Sequence, residues 1–496
     1  MRYAHEVEKV RTAERALMAR LPEGTLMRRA AAGLAAVCAR LLSSGHEVGL
    51  GVYGAPIVLL VGSGDNGGDA LYAGAGLARR GARVTAILAG TKTHEGGLAA
   101  LRAAGGRAAP ATDEAAAEID RADLIIDGML GIGGRGGLRE PYASLAGRAA
   151  DSGAVVVACD LPSGIDASTG QVDGAAVKAD VTVTFGTYKP GLLVDPGARH
   201  AGVVELVDIG LGPYLPDPDV CAPRGEDVAA WLPRPTHESD KYRRGVVGVL
   251  AGGAAFTGAA VLAVGGAVHG GAGMVRFASS EHPVELVRHR WPEAVTTVIG
   301  DSLDSVGRVQ AWVAGPGLGT DERAEALLVQ ALASDLPVLV DADGLTILSR
   351  RRDLLWRTPP TLLTPHAGEL ARLLGTDAAE VEARRLEHVR RAAEELNATV
   401  LLKGSTTVIA EAERPVRVNP TGTPWLATAG TGDVLSGLTG ALLAGGLPAI
   451  DAAAAGAYLH GLAGRLSADP NGDGAAPISA YDVVDALPAA FRTLSA

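Results

Sequence analysis

Apolar residues in this chain gather in short continuous runs that stop at glycine or at a polar residue. In the first half such runs open PIVLLVGSGDNGGD (residues 56–69), RVTAILAG (83–90), LIIDGMLGIGGRGG (124–137) and ACDLPSGID (158–166). In the second half they open VAGPGLG (313–319), VLVDADGL (338–345), LLTPHAGEL (362–370) and LLKGSTTVIA (401–410). Runs this short, bounded by turn residues, predict buried strands at the start of βα units, and hence open α/β sheets that gather ligands at the carboxyl ends of their strands. Longer patterns predict helices. Residues 1–21 form a charged amphipathic helix expected to pack on its own domain, and residues 377–396 an ordinary Ala-rich helix. Residues 254–275 hold six glycines and His269, which predicts a buried helix running into a Gly-rich turn rather than a bilayer span. Pro recurs and apolar periodicity lapses over residues 208–245, so two α/β domains are expected, residues 1–215 and 236–496, with a linker at 216–235.

The segment ATAGTGDVLSGLTGALLAGG (427–446) places Asp433 at the start of an apolar helix behind Gly430 and Gly432. A Gly-rich turn exposes backbone N–H groups, a helix N-terminus adds partial positive charge, and the carboxylate can take a proton from a hydroxyl, a combination suited to phosphate chemistry. A capping Asp in a tight loop would read the same way. In the first half, Gly62, Gly64 and Gly67 satisfy GxGxxG, a weak dinucleotide signal by itself, and the strand that follows ends in small apolar residues and Thr91 where a ribose-binding acid belongs. An ordinary hydride-transfer dehydrogenase is thereby disfavoured. Oxygen-bearing side chains crowd the strand ends instead, with Asn66, Asp127, Asp160 and Ser163 placed to converge on one cleft.

Composition narrows the partners. A net charge of −11 with no long basic run argues against nucleic acid, and 47% hydrophobic residues over 496 positions suffice for two or three cores. Cys38, Cys159 and Cys221 form neither a disulfide framework nor a metal-binding pair, which points to a reducing cytoplasm; no signal peptide or membrane anchor is expected. Only six of the 45 basic residues are lysine, so Lys403 in KGSTT and Lys189 in TYKPG stand out as candidate site residues. No Walker A sequence occurs, so a nucleotide must use another loop.

From about residue 233 onward, KYRRGVVGVLAGGAAFTGAAVLA (241–263) and the motifs above, in this order, resemble the ribokinase-like ADP/ATP-dependent NAD(P)H-hydrate dehydratases. Residues 1–212 resemble the NAD(P)H-hydrate epimerase family, with Arg28 standing where that family tends to carry an acid. The fold implied is an N-terminal Rossmann-like three-layer α/β/α domain followed by a ribokinase-like α/β domain. For the first domain the resemblance implies a potassium ion held by Asn66, Asp127 and Ser163. It implies hydrate contacts from Asp65, Asn66, Gly67, Gly68 and Asp69, from the loop Gly131, Ile132, Gly133, Gly134, Arg135, Gly136 and Gly137, and from Asp160. An oxygen-only donor set suits an alkali or alkaline-earth cation better than zinc. For the second domain it implies that Lys403, Gly404, Ser405, Thr406, Thr407 and Gly432 bind the adenine nucleotide, while Ala260, Gly317, His366 and Asp433 face the hydrate. A His after Thr-Pro at a helix start also serves as a cap.

The resemblance implies repair of hydrated nicotinamide cofactors, NADHX and NADPHX. The first domain interconverts the R and S hydrates, with Asp160 as acid or base, and the second dehydrates the S hydrate with ADP, releasing AMP and phosphate. Asp433 would take the proton of the C6 hydroxyl as it attacks the terminal phosphoryl, and the ester so formed eliminates readily where hydroxide would not. Magnesium is expected on general phosphoryl-transfer grounds. A homo-oligomer is expected, a tetramer by the resemblance. Two other readings stay open: a ribokinase-like small-molecule kinase, and a nucleotide-binding protein with a non-catalytic first half.

Overall fold

The computed structural model describes residues 1–44 and 51–494. The chain divides into two compact units, Tyr3–Val220 and Cys221–Ala496, the latter joined by Met1–Arg2. Residues 216–235, expected as a linker, include the helix Gly225–Trp231, whose Val228 is buried in the core of the second unit.

In the first unit seven parallel strands run in the order Arg107–Pro110, Arg83–Leu88, Pro56–Val61, Leu124–Gly128, Val155–Cys159, Val181–Phe185, Val203–Val207. Alternation along Pro56–Val61 explains the three layers. Ile57, Leu59 and Val61 pack with Leu34 and Leu71 from helices on one face, whereas Val58 and Leu60 pack with Ile119 and Leu145 on the other. The strand order reverses between Pro56–Val61 and Leu124–Gly128, which opens a crevice at their carboxyl ends. Of the helix expected over residues 1–21, Arg2–Ala4 is a strand and only Val7–Met18 is helical, burying Val10, Ala13 and Leu17.

In the second unit the strands Val416–Asn419, Thr407–Ala410, Thr399–Leu402, Thr361–Leu363, Val338–Val340, Ala311–Ala314, Val246–Leu250, Met274–Ser279 and Val295–Val298 lie in that order within an eleven-stranded sheet. All paired neighbours are parallel except Thr407–Ala410, which runs antiparallel to both of its own. The apolar segments that stood out in the sequence become the buried helices Thr257–His269 and Thr431–Ala444. Among the described residues no helix is long and apolar enough to cross a membrane.

These two helices meet backbone to backbone. A Cβ on Gly437 would lie 1.8 Å from the Ala263 carbonyl oxygen, and one on Gly266 would lie 2.2 Å from that of Val434. Neither obstacle is a flexible side chain, so relief requires moving a helix. Gly437→Ala is therefore expected to destabilise the second unit by about 1–3 kcal/mol despite alanine's better helix propensity, read as an earlier urea midpoint. A stabilised variant would contradict the close packing.

Candidate active sites

The first site is built where strand Pro56–Val61 turns into helix Asp65–Arg79. Gly64, in extended conformation, precedes the helix, and Asp65, Asn66, Gly67, Gly68 and Asp69 make its first turns. Asn66 is buried with its Nδ2 unpartnered, and Asp69 has an unpartnered buried Oδ1. Burial, with Asp160, Asp65 and Glu14 adding to it, holds the Asp69 carboxyl well above the usual carboxylate range. The neighbouring loop, residues 131–137, follows strand Leu124–Gly128 and closes on this turn. A Cβ on Gly131 would lie 3.2 Å from the Asn66 Oδ1, and one on Gly62 only 1.8 Å from the Met129 carbonyl oxygen. Glycine is thus required at position 62 by close approach.

Asp127, inside strand Leu124–Gly128, is fully buried. Its Oδ2 accepts from the Ser163 N–H at 2.8 Å, and its Oδ1 from the Ser163 hydroxyl at 2.6 Å and the Met129 N–H at 3.2 Å. Burial pushes its pKa up to about 6, against the pull of those donors. Asp160 follows strand Val155–Cys159 with φ 64°, a left-handed conformation that costs on the order of 1 kcal/mol and recurs at functional positions. Its Oδ1 accepts from the Lys189 ammonium, from the Thr184 hydroxyl at 3.0 Å and from the Phe185 N–H at 3.1 Å. Lys189 is itself buried and also donates to Thr184 Oγ1 and the Phe185 carbonyl. The lysine picked out by its rarity is therefore the fixed partner of Asp160.

In the second unit Asp433 sits in the first turn of Thr431–Ala444, whose N-cap, Gly430, has φ 92°. Burial, with Asp341 and Asp343 adding and Lys403 opposing, raises the Asp433 pKa to about 7. Lys403 ends strand Thr399–Leu402, and its Nζ lies 2.7 Å from Asp341 Oδ1 and 4.0 Å from Glu369 Oε2. Burial alone would lower the pKa of Lys403; Asp341, Glu369 and Asp433 outweigh it, so the ammonium is held. The Ser436 hydroxyl donates to the other Asp341 oxygen at 2.7 Å. Gly432 stands beside Lys403, its hypothetical Cβ 3.4 Å from Nζ. Strand end, loop and helix are thus joined at one carboxylate.

Gly404, Ser405 and Thr406 form the turn between strands Thr399–Leu402 and Thr407–Ala410. Arg385, fully buried on helix Arg385–Glu395, holds that turn from beneath by donating to the carbonyls of Leu402, Lys403 and Thr406 and pairing with Glu382. Replacing it by Met strands three carbonyls, and Arg385→Met is expected to cost about 3–5 kcal/mol and to weaken nucleotide binding. Thermal melting with and without nucleotide checks both.

Gly317, with φ 59°, lies against the Phe256 carbonyl, and Ala260 is buried on Thr257–His269. His366 is an N-cap of Ala367–Leu374: its Nδ1 accepts from the N–H of Gly368 and Glu369, and Glu369 returns a bond to the His366 N–H, leaving the ring largely exposed.

Asp341, Ser436 and Arg385 were not singled out from the sequence. Asp341 carried a signal, a carboxylate closing the apolar run VLVD; the others show themselves only through partners distant in the chain. His460 is another: its ring donates through Nε2 to the Thr431 carbonyl at 2.9 Å, and burial drives its pKa down to about 4, so it is neutral there.

Both units are similar to known proteins. The family described as NAD(P)H-hydrate dehydratase matches residues 247–485, and that described as YjeF-related protein N-terminus matches residues 23–191. The bifunctional NAD(P)H-hydrate repair enzyme Nnr of Mycobacterium leprae is 49% identical over 497 residues, covering 100% of each chain. That of Mycobacterium tuberculosis (strain ATCC 25618 / H37Rv) is 50% identical over 457 residues, 92% of each. Among solved structures, the ADP/ATP-dependent NAD(P)H-hydrate dehydratase from Bacillus subtilis, co-crystallized with ATP/Mg2+, is 31% identical, covers 55% of this chain and 97% of its own, and has a TM-score of 0.49.

Proposed function

Because the chain belongs to the bifunctional NAD(P)H-hydrate repair enzymes, we propose that its two strand-end sites divide the work: the first epimerises R- and S-NAD(P)HX at Asp160, and the second dehydrates the S hydrate at Asp433 with ADP. The observation that carries this reading is Asp433 itself, a half-buried carboxyl in a helix's first turn, beside an ammonium fixed by Asp341. Asp433 takes the proton of the C6 hydroxyl while that oxygen attacks the terminal phosphoryl group. Lys403 and the N-terminus of Thr431–Ala444 meet the charge developing on that group. Gly404, Ser405, Thr406 and Thr407 cradle the nucleotide, and Ala260, Gly317 and His366 line the hydrate's side.

Magnesium, when bound, neutralises charge on the nucleotide phosphates; the carboxylates of Asp341 and Asp433 beside the phosphate-facing Lys403 fit a hard cation there. In the first unit Asn66, Asp127 and Ser163 would hold potassium, supplying a fixed positive charge near the hydrate. The fully buried Asp127 carboxylate and the Ser163 hydroxyl 2.6 Å from it, with the Asn66 amide oxygen, make an oxygen set that fits that ion. Asp160, with its Oδ1 occupied by Lys189, Thr184 and the Phe185 N–H, keeps Oδ2 for the reacting proton.

The test is recovery of the near-ultraviolet absorbance of NADH from a mixture of R- and S-NADHX with purified protein, magnesium, potassium and either ADP or ATP. Full recovery, faster than spontaneous epimerisation and faster with ADP, is expected. Absence of recovery with both nucleotides would overturn the assignment of Asp433, and equal rates with the two would overturn the ADP preference.

A further inference from the structure

Helix Ala449–Ala468 is buried along most of its length and carries one histidine, His460, itself buried. The helix is stitched to the segment that leads into the Gly430 turn. The Asn419 amide donates to the Ala457 carbonyl at 2.9 Å, and the Thr421 hydroxyl to that of Tyr458 at 2.8 Å. Arg465 donates to the carbonyls of Pro420 at 3.0 Å and Gly422 at 3.2 Å. Glycines allow the close approach: a Cβ on Gly461 would lie 2.4 Å from Thr421 Oγ1, and one on Gly464 would lie 2.7 Å from the Leu426 side chain. At the end of this seam His460 Nε2 lies 2.9 Å from the Thr431 carbonyl oxygen. A carbonyl only accepts, so Nε2 carries the hydrogen, and burial keeps the ring neutral. The Thr431 hydroxyl is engaged elsewhere, 2.8 Å from the Leu426 carbonyl oxygen and 3.0 Å from that of Thr428. Thr431 is thus held through both its side chain and its main chain.

The peptide group that His460 meets has the Gly432 N–H at its other end. In a trans peptide the C=O and N–H point in opposite directions, and in a helix the N–H points toward the N-terminus. Within the first turn of Thr431–Ala444 that N–H has no helix carbonyl to reach. It belongs to the residue whose hypothetical Cβ lies 3.4 Å from the Lys403 Nζ, on the side expected to face phosphate. A hydrogen bond to an amide oxygen polarises the group and makes its N–H a stronger donor. We propose that His460 is a positioning residue of the dehydration site: it fixes and polarises the Thr431–Gly432 peptide, so that the Gly432 N–H stabilises the charge developing on the transferring phosphoryl group. The inference rests on the dehydratase reading above. His460 touches neither substrate, and it keeps its hydrogen throughout the reaction.

The experiment uses the full chain, with S-NADHX, ADP and magnesium, and measures kcat and both KM values. His460→Phe removes the donor from a ring of similar shape, whereas His460→Gln keeps an N–H at about the reach of Nε2. His460→Phe is expected to lower kcat by about 5–15-fold, the rate equivalent of one hydrogen bond, with KM for ADP and hydrate unchanged. His460→Gln should recover most of that loss. A second readout is independent of activity: in 15N spectra of the histidine rings, the resonances missing from His460→Gln should report a hydrogen on Nε2 and none on Nδ1 in the parent. Unchanged kcat in His460→Phe, a loss carried wholly or partly by KM, a glutamine variant no better than the phenylalanine one, or a hydrogen on Nδ1 would each overturn the role of His460. If the parent chain itself failed to dehydrate S-NADHX with either nucleotide, the dehydratase reading would fall first. That result is visible before any variant is made.

Discussion

Replacing Asp433 by Asn is expected to lower dehydration of the S hydrate by about 10²–10⁴-fold, the usual span for a lost general base, with little change in affinity for nucleotide. Asn is nearly isosteric, so the helix start and the neighbouring Lys403–Asp341 pair persist. The pH dependence gives the sign. A base works only when deprotonated, so in the parent chain kcat/KM for dehydration should rise with pH through about 7, where burial places Asp433, and the Asn variant should lack that limb. Stability runs the opposite way. The folded pKa lies above the ordinary carboxylate value, so the stability tied to the protonated form is intact at low pH and lost as pH rises through about 7. Above that pH the Asn variant should melt later than the parent. A variant that is inactive and also melts early would point to misfolding rather than to loss of a base.

The second large effect is expected at Asp160. Asp160→Asn keeps an Oδ1 that can accept from Thr184 and the Phe185 N–H, but it withdraws the charge opposite Lys189, a buried ammonium. Epimerisation should fall to the spontaneous rate, so recovery of NADH from mixed epimers should be fast for the S fraction and then slow. The stranded ammonium should cost about 3–5 kcal/mol. Asp160→Asn with Lys189→Met removes both charges, and it should recover much of that stability without recovering epimerisation. Complete rapid recovery from mixed epimers by the single variant would remove Asp160 from the reaction.

The residues legible in the sequence share a local signature. Asp127, Asp160 and Lys403 end or follow apolar runs, where strand chemistry announces a loop at the carboxyl edge of a sheet, and Asp433 follows a glycine pair into an apolar helix. Ser436 and Arg385 carried no such mark. Ser436 looks like one more small residue on an Ala/Leu/Gly helix until Val338–Val340 delivers Asp341 to it across the sheet. Arg385 sits in the stretch 377–396 expected as one ordinary helix, but the chain breaks into Ala378–Ala383 and Arg385–Glu395, and Arg385 is fully buried where it donates to the carbonyls of Leu402, Lys403 and Thr406. The boundary at 216–235 was hard to read because a proline-rich segment can still contribute one short helix to a core, as Val228 does.

The glycines at 266 and 437 have a consequence for how this enzyme can change over time. Ala260 and Asp433 ride on the two helices that touch main chain to main chain at those glycines. The separation between Asp433, the proposed base, and the residue expected to face the hydrate is accordingly set by peptide groups, which are the same in every sequence. Side chains around the helices can drift, and cores can be refilled with other small apolar residues, without shifting the reacting atoms. What natural variation cannot readily touch is the pair of hydrogens that stand where Cβ atoms would be.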